Sequence, residues 1–493
     1  MKPQAAVPNL VIELGGSALP AKALMRLEEL LVSRCLSQPG MCELTFVMPE
    51  VTPWPETGMA LRVSLAGSGK LLFRGEVASV EYNRRSGGER LLFVRAYDEL
   101  LTLRRQHHIR AWPVSSASSI ASEMVSGMGL SVEGGSSGPT FASLIQAEES
   151  DFDFLTGVAE RSGLYVALRG DVLELVSLEG VGDEIMLKLD EGLFEVSVEA
   201  NATFACDGVK SYGWDASRVE RHVAEVSRPA SGGDSAGGSG VLLMGNGNAS
   251  AQEIVQASAA GEMSRRVARS RTVRGTAEGN VDLMPGTKIR VKGLPASLPD
   301  SFALVEVTHR IEGLSGFVTS FSSVPPVRRP ARDAASVAWG MVTQIQDPEK
   351  LGRVRVALPA FDDVETDWLE VMAIGAGSGK GFVNLPDRGD KVVVLFPRGE
   401  LGNGLILGGL YGTDGPGDYG VEDKIVRYAL LTPGGNKLKF DDARKSLRVE
   451  DATGSYLEFT PGGATLHAAV DLHVEAPGRK MTIAAQQIDF RRS

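Results

Sequence analysis

The sequence has little cysteine, few aromatic residues, no long apolar run and a shortage of positive charge. Its three cysteines, Cys35, Cys42 and Cys206, fit no CxxC spacing and cannot staple a chain of 493 residues. A disulfide framework is therefore excluded, and a reducing compartment suits them. No run of 18 or more apolar positions occurs, which removes a membrane-spanning helix. With 51 Lys and Arg against 62 Asp and Glu, the formal net charge is −11. That balance opposes a phosphate backbone, so no nucleic-acid partner is expected. The opening Met1–Gly16 holds one Lys and breaks at Gly15–Gly16 before an apolar stretch of secretory length. The chain is accordingly expected in the cytoplasm on synthesis, without a signal peptide.

Glycine is in excess, with 58 residues, about 12% against a usual ~7%. These glycines punctuate short Val, Leu, Ile and Phe runs, a pattern of many strands joined by tight turns. A mainly β protein of about three domains follows from pattern and length. Strands are expected at Asn9–Leu14, Met41–Met48, Leu61–Leu65, Leu71–Tyr82 and Arg90–Tyr97, forming a first small barrel or sheet over about 1–110. Ala23–Leu36 reads either as an amphipathic helix or partly as a strand. Helices are expected at Ser115–Met128, at Phe141–Gln146, after Ser150, and at Ala251–Arg269. In the third, Ser150 caps, Asp153 completes a weak capping box and Gly163 stops the helix. A hairpin follows, Leu164–Leu168 and Val172–Val176 around Arg169–Gly170–Asp171. These lie in a helical and hairpin part over about 111–185. A second barrel spans about 186–325 through Glu195–Val198, Phe302–Ile311 and Phe317–Phe321. The Gly/Ser-rich Pro229–Gly240 interrupts it, and the stiff Pro325–Pro330 leads into a linker at 331–336.

From 337 to 412 five short strands, Val337–Gln346, Arg353–Pro359, Trp368–Ile374, Lys391–Pro397 and Leu405–Tyr411, suit a small Greek-key barrel of the OB type. After a linker at 413–424, the 425–493 segment ends in a period-two alternation. Leu466, Ala468, Val470, Leu472 and Val474 point one way, while His467 and His473 point the other; Ile483, Ile488 and Phe490 continue the apolar set. No helix or second sheet remains to cover that face, so another copy of the chain is its expected cover.

Three ordered motifs carry a family likeness. Asp151–Leu155 runs on through Ala159–Tyr165 to Arg169–Gly170–Asp171. Gly340–Val342 is joined to Asp347–Val356, and Pro386–Val394 to Leu405–Tyr411. Together they resemble the valine-glycine repeat protein G (VgrG) family. The resemblance implies a homotrimeric structural spike of a contractile injection system: tandem tail-hub barrels over 1–330, an OB barrel, and a three-chain β-prism needle. It implies an inner-tube hexamer, baseplate proteins and the target cell envelope as partners, and allows a PAAR-type tip protein and effector cargo. The chain would assemble into the particle and then reach the extracellular space or the target envelope. It is shorter than type VI secretion spikes and lacks the repeats that named the family. Its first barrel is closer to phage late-control protein D and extracellular tailocin spikes, so an extracellular particle is favoured over a type VI spike carrying effectors. A β-rich glycan-binding or glycan-degrading tail spike is the alternative of another class.

Catalytic, cofactor and metal sites are not expected. Gly134–Gly138 satisfies G-x-S-x-G, but Gly138–Pro139 follows where an elbow needs a helix. Gly375–Gly381 imitates a phosphate loop, yet Ile374 and Gly381 stand at two of its defining positions. Residues 337–412 hold seven Lys and Arg against ten Asp and Glu, against a strand-binding groove. His107–His108 lacks a third ligand nearby, and the needle face that carries Leu466 sends His467 and His473 outward. Eleven residues between Gly412 and Lys424 leave no room for a muramidase.

Overall fold

The computed structural model describes residues 5–48, 51, 53–84, 86–134, 138–215, 218–229, 240–246, 249–327, 334–397, 399–413, 415–416, 420 and 423–491. They form two units, 1–409 and 410–493. Residues 230–239 of the expected Pro229–Gly240 loop, the end of the Pro325–Pro330 stretch with half of the 331–336 linker, and much of the 413–424 linker lie outside the described residues.

The expected strands of the first stretch form, and Ala23–Leu36 resolves as a strand, Leu27–Cys35, after a one-turn helix at Ala21–Leu24. Leu30 and Val32 alternate into the core, and both edges are taken, by Met41–Val47 on one side and Glu306–Glu312 on the other. That second pairing sets Leu31 opposite Arg310 and fuses what were read as two barrels into one fourteen-stranded sheet. Two cores persist on it. One gathers Leu30, Val32, Phe46 and Phe73 with Ile311 and Phe317, which are distant in sequence. The other gathers Val273, Ile289, Leu304 and Phe321. Phe302–Ile311 is not one strand but two, Ser301–Ala303 and Glu306–Glu312. Between them the chain changes partner: the Leu304 N–H donates to Thr287 O and that of Val305 to Ser322 O.

A third core cuts across the expected 185/186 boundary. Ile120, Phe152, Leu155 and Val158 pack with Val209, Ile254 and Met263, so the three-stranded sheet of Gly208–Asp215, Glu220–Ser227 and Val241–Asn246 and the Gln252–Ser270 helix side with the helical part. The Ala117–Met124 helix starts on a full capping box between Ser116 and Ser119. Thr140–Gln146 is a strand rather than a helix, paired antiparallel with Arg110–Ser116 so that Leu144 faces Trp112. Six local residues are too few to hold a helix against a waiting strand edge. The Asp151–Arg161 helix is capped as expected: Ser150 Oγ accepts from the Asp153 N–H at 3.1 Å and donates to Asp153 Oδ2 at 2.7 Å. Gly163, at φ +74°, ends it. There the helix meets Gln252–Ser270 so closely that a Cβ on Gly261 would lie 2.8 Å from Gly163 Cα.

Residues 336–410 form a six-stranded sheet, closed into a barrel by the Val354–Leu369 bridge around Val342, Val356, Val394, Phe396 and Ile406. The expected Trp368–Ile374 strand shrinks to Glu370–Val371, and Val364–Glu365 is an addition. The Asp347–Arg353 motif is a loop clamp. Arg353 donates through Nη2 and Nε to Asp347 at 2.7 and 3.0 Å, and the Leu351 and Glu349 amides donate at 2.9 and 3.1 Å. The Arg353 bonds, then the amides, hold the Asp347 carboxyl far below the usual carboxylate range.

Candidate functional site

The 410–493 unit contains a five-stranded antiparallel meander: Arg427–Leu431, Lys437–Asp441, Ser446–Glu450, Tyr456–Thr460 and Gly463–His467. Its turns are chemically specified. Gly435 adopts φ +91° and Gly454 +93°, conformations open to residues without a Cβ. Asp451 accepts from the Thr453 hydroxyl at 2.7 Å and from the Thr453 and Ser455 amides at 2.8 and 3.0 Å. Those bonds, the Thr453 hydroxyl first, hold its carboxyl below the usual range. Turns this definite fix the register, and register decides which side chains share a face.

The pairing aligns Leu430, Leu438, Val449, Leu457 and Leu466 in one row across all five strands. Two residues along, Tyr428, Phe440, Leu447, Phe459 and Ala464 make a parallel row on the same face. This face is apolar throughout, yet Tyr428 is 57% exposed, Phe459 47% and Leu466 61%. The opposite face is polar and internally paired. Arg448 donates to Glu450 at 2.9 Å and lies 3.7 Å from Glu458. Its guanidinium sits 3.8 Å over the Tyr456 ring, which stacks on His467 at 5.0 Å. One face is thus satisfied by its own neighbours and the other is a contiguous apolar surface of the kind that marks an interface.

Of the expected needle core, Leu466 lies on the apolar face and His467 on the polar one, the phase expected of them. Ala468, Val470, Leu472, Val474, Ile483, Ile488 and Phe490 lie beyond the last strand, where the described residues enter no ladder; Val470 is 64% and Phe490 92% exposed. Sequence reasoning missed Tyr428, Leu438, Phe440, Val449, Leu457 and Phe459. The signal was available in five short alternating runs between Gly-containing or Asp-containing turns.

The motifs weighed for chemistry have structural roles where they are described. In Gly375–Gly381 the Gly377 and Lys380 amides and carbonyls bond each other at 3.1 Å in both directions, which spends the amides a phosphate would need. His108 Nδ1 lies 2.9 Å from Asp151, which is 2% exposed and also accepts from Gln146 Nε2 at 2.6 Å. The pair thereby anchors the start of a helix. Residues 135–137 of the G-x-S-x-G match lie outside the described residues. Among the described residues no group of three or more His, Cys, Asp or Glu could hold a metal ion, and no helix is long and apolar enough to cross a membrane.

Residues 55–313, more than half of the chain, match the Alg8 N-terminal domain family. The chain belongs to that family. Residues 338–411 match a second family, the type VI secretion system/phage-baseplate injector OB domain, in agreement with the barrel found there. Over 142 residues, 26% of this chain, it is 30% identical to the type VI secretion system spike protein VgrG4b of Pseudomonas aeruginosa, and spans 17% of that protein's length. In fold it is similar to an Escherichia coli protein, c3393, described as a component of the type VI secretion system with structural similarity to T4 tail proteins gp27 and gp5. That likeness has a TM-score of 0.53 and 15% identity, over 81% of this chain and 99% of the other. It is also similar to a chain of the Francisella PdpA–VgrG complex, at TM-score 0.56 and 10% identity, over 93% of this chain and 80% of that one. The mainly β, VgrG-like architecture expected from the three motifs is therefore the architecture of this chain.

Proposed function

We propose that the chain is a structural spike protein of a contractile injection system and that it works as a homotrimer. The observation that carries this reading is the uncovered apolar face of the C-terminal sheet, an arrangement that water disfavours and a second and third copy would satisfy. In this reading 1–330 is the tail-hub-like region, 337–412 the OB domain and 425–493 the three-chain needle. Its core comprises Leu466, Ala468, Val470, Leu472, Val474, Ile483, Ile488 and Phe490. The fold likeness to the Escherichia coli protein, over 81% of this chain and 99% of that one, and the partial identity to a VgrG spike support it. So does the place of the OB family, described as an injector domain. The protein's task is mechanical rather than catalytic. It joins the inner-tube hexamer and baseplate to a piercing tip, to which a PAAR-type protein or cargo attaches, and travels with the particle to the target envelope.

Sedimentation of the full chain is the test. A species of three times the 52.3 kDa chain mass, which also retains the hexameric inner-tube protein in a pull-down, is expected. A stable monomer at micromolar concentration ends the proposal.

A further inference from the structure

In the three-stranded sheet of the 1–409 unit, Gly208–Asp215 lies at the centre, Glu220–Ser227 at one edge and Val241–Asn246 at the other. The Gln252–Ser270 helix covers one face, packing Ile254 and Val255 with Val209 and Ala224. Val241–Asn246 pairs with the central strand in parallel and without a register shift. Among the described residues its backbone bonds no backbone group outside that pair. A strand held on one side presents a row of N–H and C=O groups on the other, and sheets guard such edges with charged side chains, Lys, Pro or bulges. The opposite edge strand is guarded by Glu220, Arg221 and Glu225. Val241–Asn246 reads Val-Leu-Leu-Met-Gly-Asn and has no such guard.

The side chains of this strand alternate. Leu242 and Met244 pack against the core beneath, while Val241 is 43% and Leu243 64% exposed on the outer face. The charge nearest the edge is already spent: Lys210, paired in register with Leu243, lies 3.0 Å from Glu225. Met244 and Gly245 also line a cleft of about 1760 Å³, so there is room beside this end of the strand.

We propose that Val241–Asn246 receives an extended segment of a partner protein as a fourth strand of this sheet, a segment with alternating apolar side chains. Its main chain takes up the open row of N–H and C=O groups, and its apolar residues stack beside Val241 and Leu243 on the outer face. With Lys210 neutralised by Glu225, the complement called for is apolar rather than charged. Size selects a segment over a folded partner. Six strand residues span roughly 20 Å at about 3.3 Å each, a strip well short of the ~800 Å² per side of a stable protein dimer. This inference goes beyond the spike reading, since no part of it depends on the C-terminal sheet.

The test is fluorescence anisotropy of the full chain with a labelled eight-residue peptide alternating Val and Thr, and with the same peptide N-methylated at its four central residues. The unmodified peptide binds, and methylation, which removes the N–H donors and keeps the side chains, abolishes binding. Leu243→Lys weakens the unmodified peptide about five-fold, the scale of one cross-strand apolar pair. Leu314→Lys, in the turn between Glu306–Glu312 and Gly316–Ser322 and 87% exposed in the parent, leaves it unchanged. Sedimentation gives Leu243→Lys the same mass as the parent. Equal binding of the two peptides would show apolar adhesion rather than strand addition and overturn the proposal, as would no binding of the unmodified peptide or equal weakening by the two Lys variants. A smaller mass for Leu243→Lys would give the edge to a second copy of the chain and overturn it as well. Should Leu243→Lys melt well below the parent, the peptide comparison on the unaltered chain decides alone.

Discussion

A lysine placed at Leu457 tests the assembly surface more directly than any truncation. Leu457 sits in the central row of the apolar face, between Val449 and Leu466, and is 39% exposed in the single chain. Fully burying a Leu contributes about 1.5–3 kcal/mol, so covering the remaining two-fifths is worth roughly 1 kcal/mol per chain. Leu457→Lys forfeits that and brings an ammonium group into each of three facing sheets, where every unpaired buried charge costs several kcal/mol. The loss over three copies exceeds what one row of an interface can offset. The sheet itself loses far less, on the order of 1 kcal/mol, because its ladder and turns are untouched and the new side chain can reach water in the monomer. Thr465→Lys is the matched control. It adds the same charge on the polar face, opposite Glu458, where an opposite-charge cross-strand pair is mildly favourable. Sedimentation velocity should find Leu457→Lys monomeric with native far-ultraviolet circular dichroism, and Thr465→Lys trimeric with an unchanged melting temperature. Equal masses for the two variants would refute the assignment of faces.

Three further outcomes concern the 1–409 unit. His309 is fully buried and bonded through Nδ1 to Thr319 Oγ1 at 3.0 Å. Burial, with the Arg34 charge second, pushes its pKa down to about 3 from 6.5. Its folded pKa lies below the unfolded one, so the neutral ring's contribution is complete above pH 6.5 and is lost as pH falls toward 3, roughly 4 kcal/mol over the window. His309→Gln should flatten the acid limb of a urea-denaturation pH series, and an unchanged limb would place the titration elsewhere. Asp347→Ala leaves Arg353, whose side chain is 13% exposed, without its main partner, and should cost about 3 kcal/mol. Hydrogen exchange should then rise across Ser336–Leu358 and not in the fourteen-stranded sheet. The parent clamp, with its carboxyl pKa depressed, should itself hold above about pH 4 and weaken only as pH falls below that.

What the sequence determined by itself was local and periodic. Ser150, Asp153 and Gly163 specify a helix with its start and stop. Arg169–Gly170–Asp171 specifies a hairpin, and the alternation at Leu466–His467 specifies which residue joins the apolar face of the sheet, because each depends on backbone geometry within a few residues. Composition excluded a membrane helix and disulfide staples for similar reasons, since both need residues the chain lacks. The tertiary structure decided whatever depended on a partner distant in sequence. Phe141–Gln146 became a strand because Arg110–Ser116 offered an edge. Leu27–Cys35 became one because Glu306–Glu312, some 275 residues away, closed its other side, and that pairing merged two expected barrels into a single sheet. The full breadth of the apolar face was likewise invisible in any one strand. Tyr428, Phe440 and Phe459 are ordinary surface residues until the register of three successive turns aligns them, and a surface summed over five strands is a property of their pairing rather than of any segment's composition.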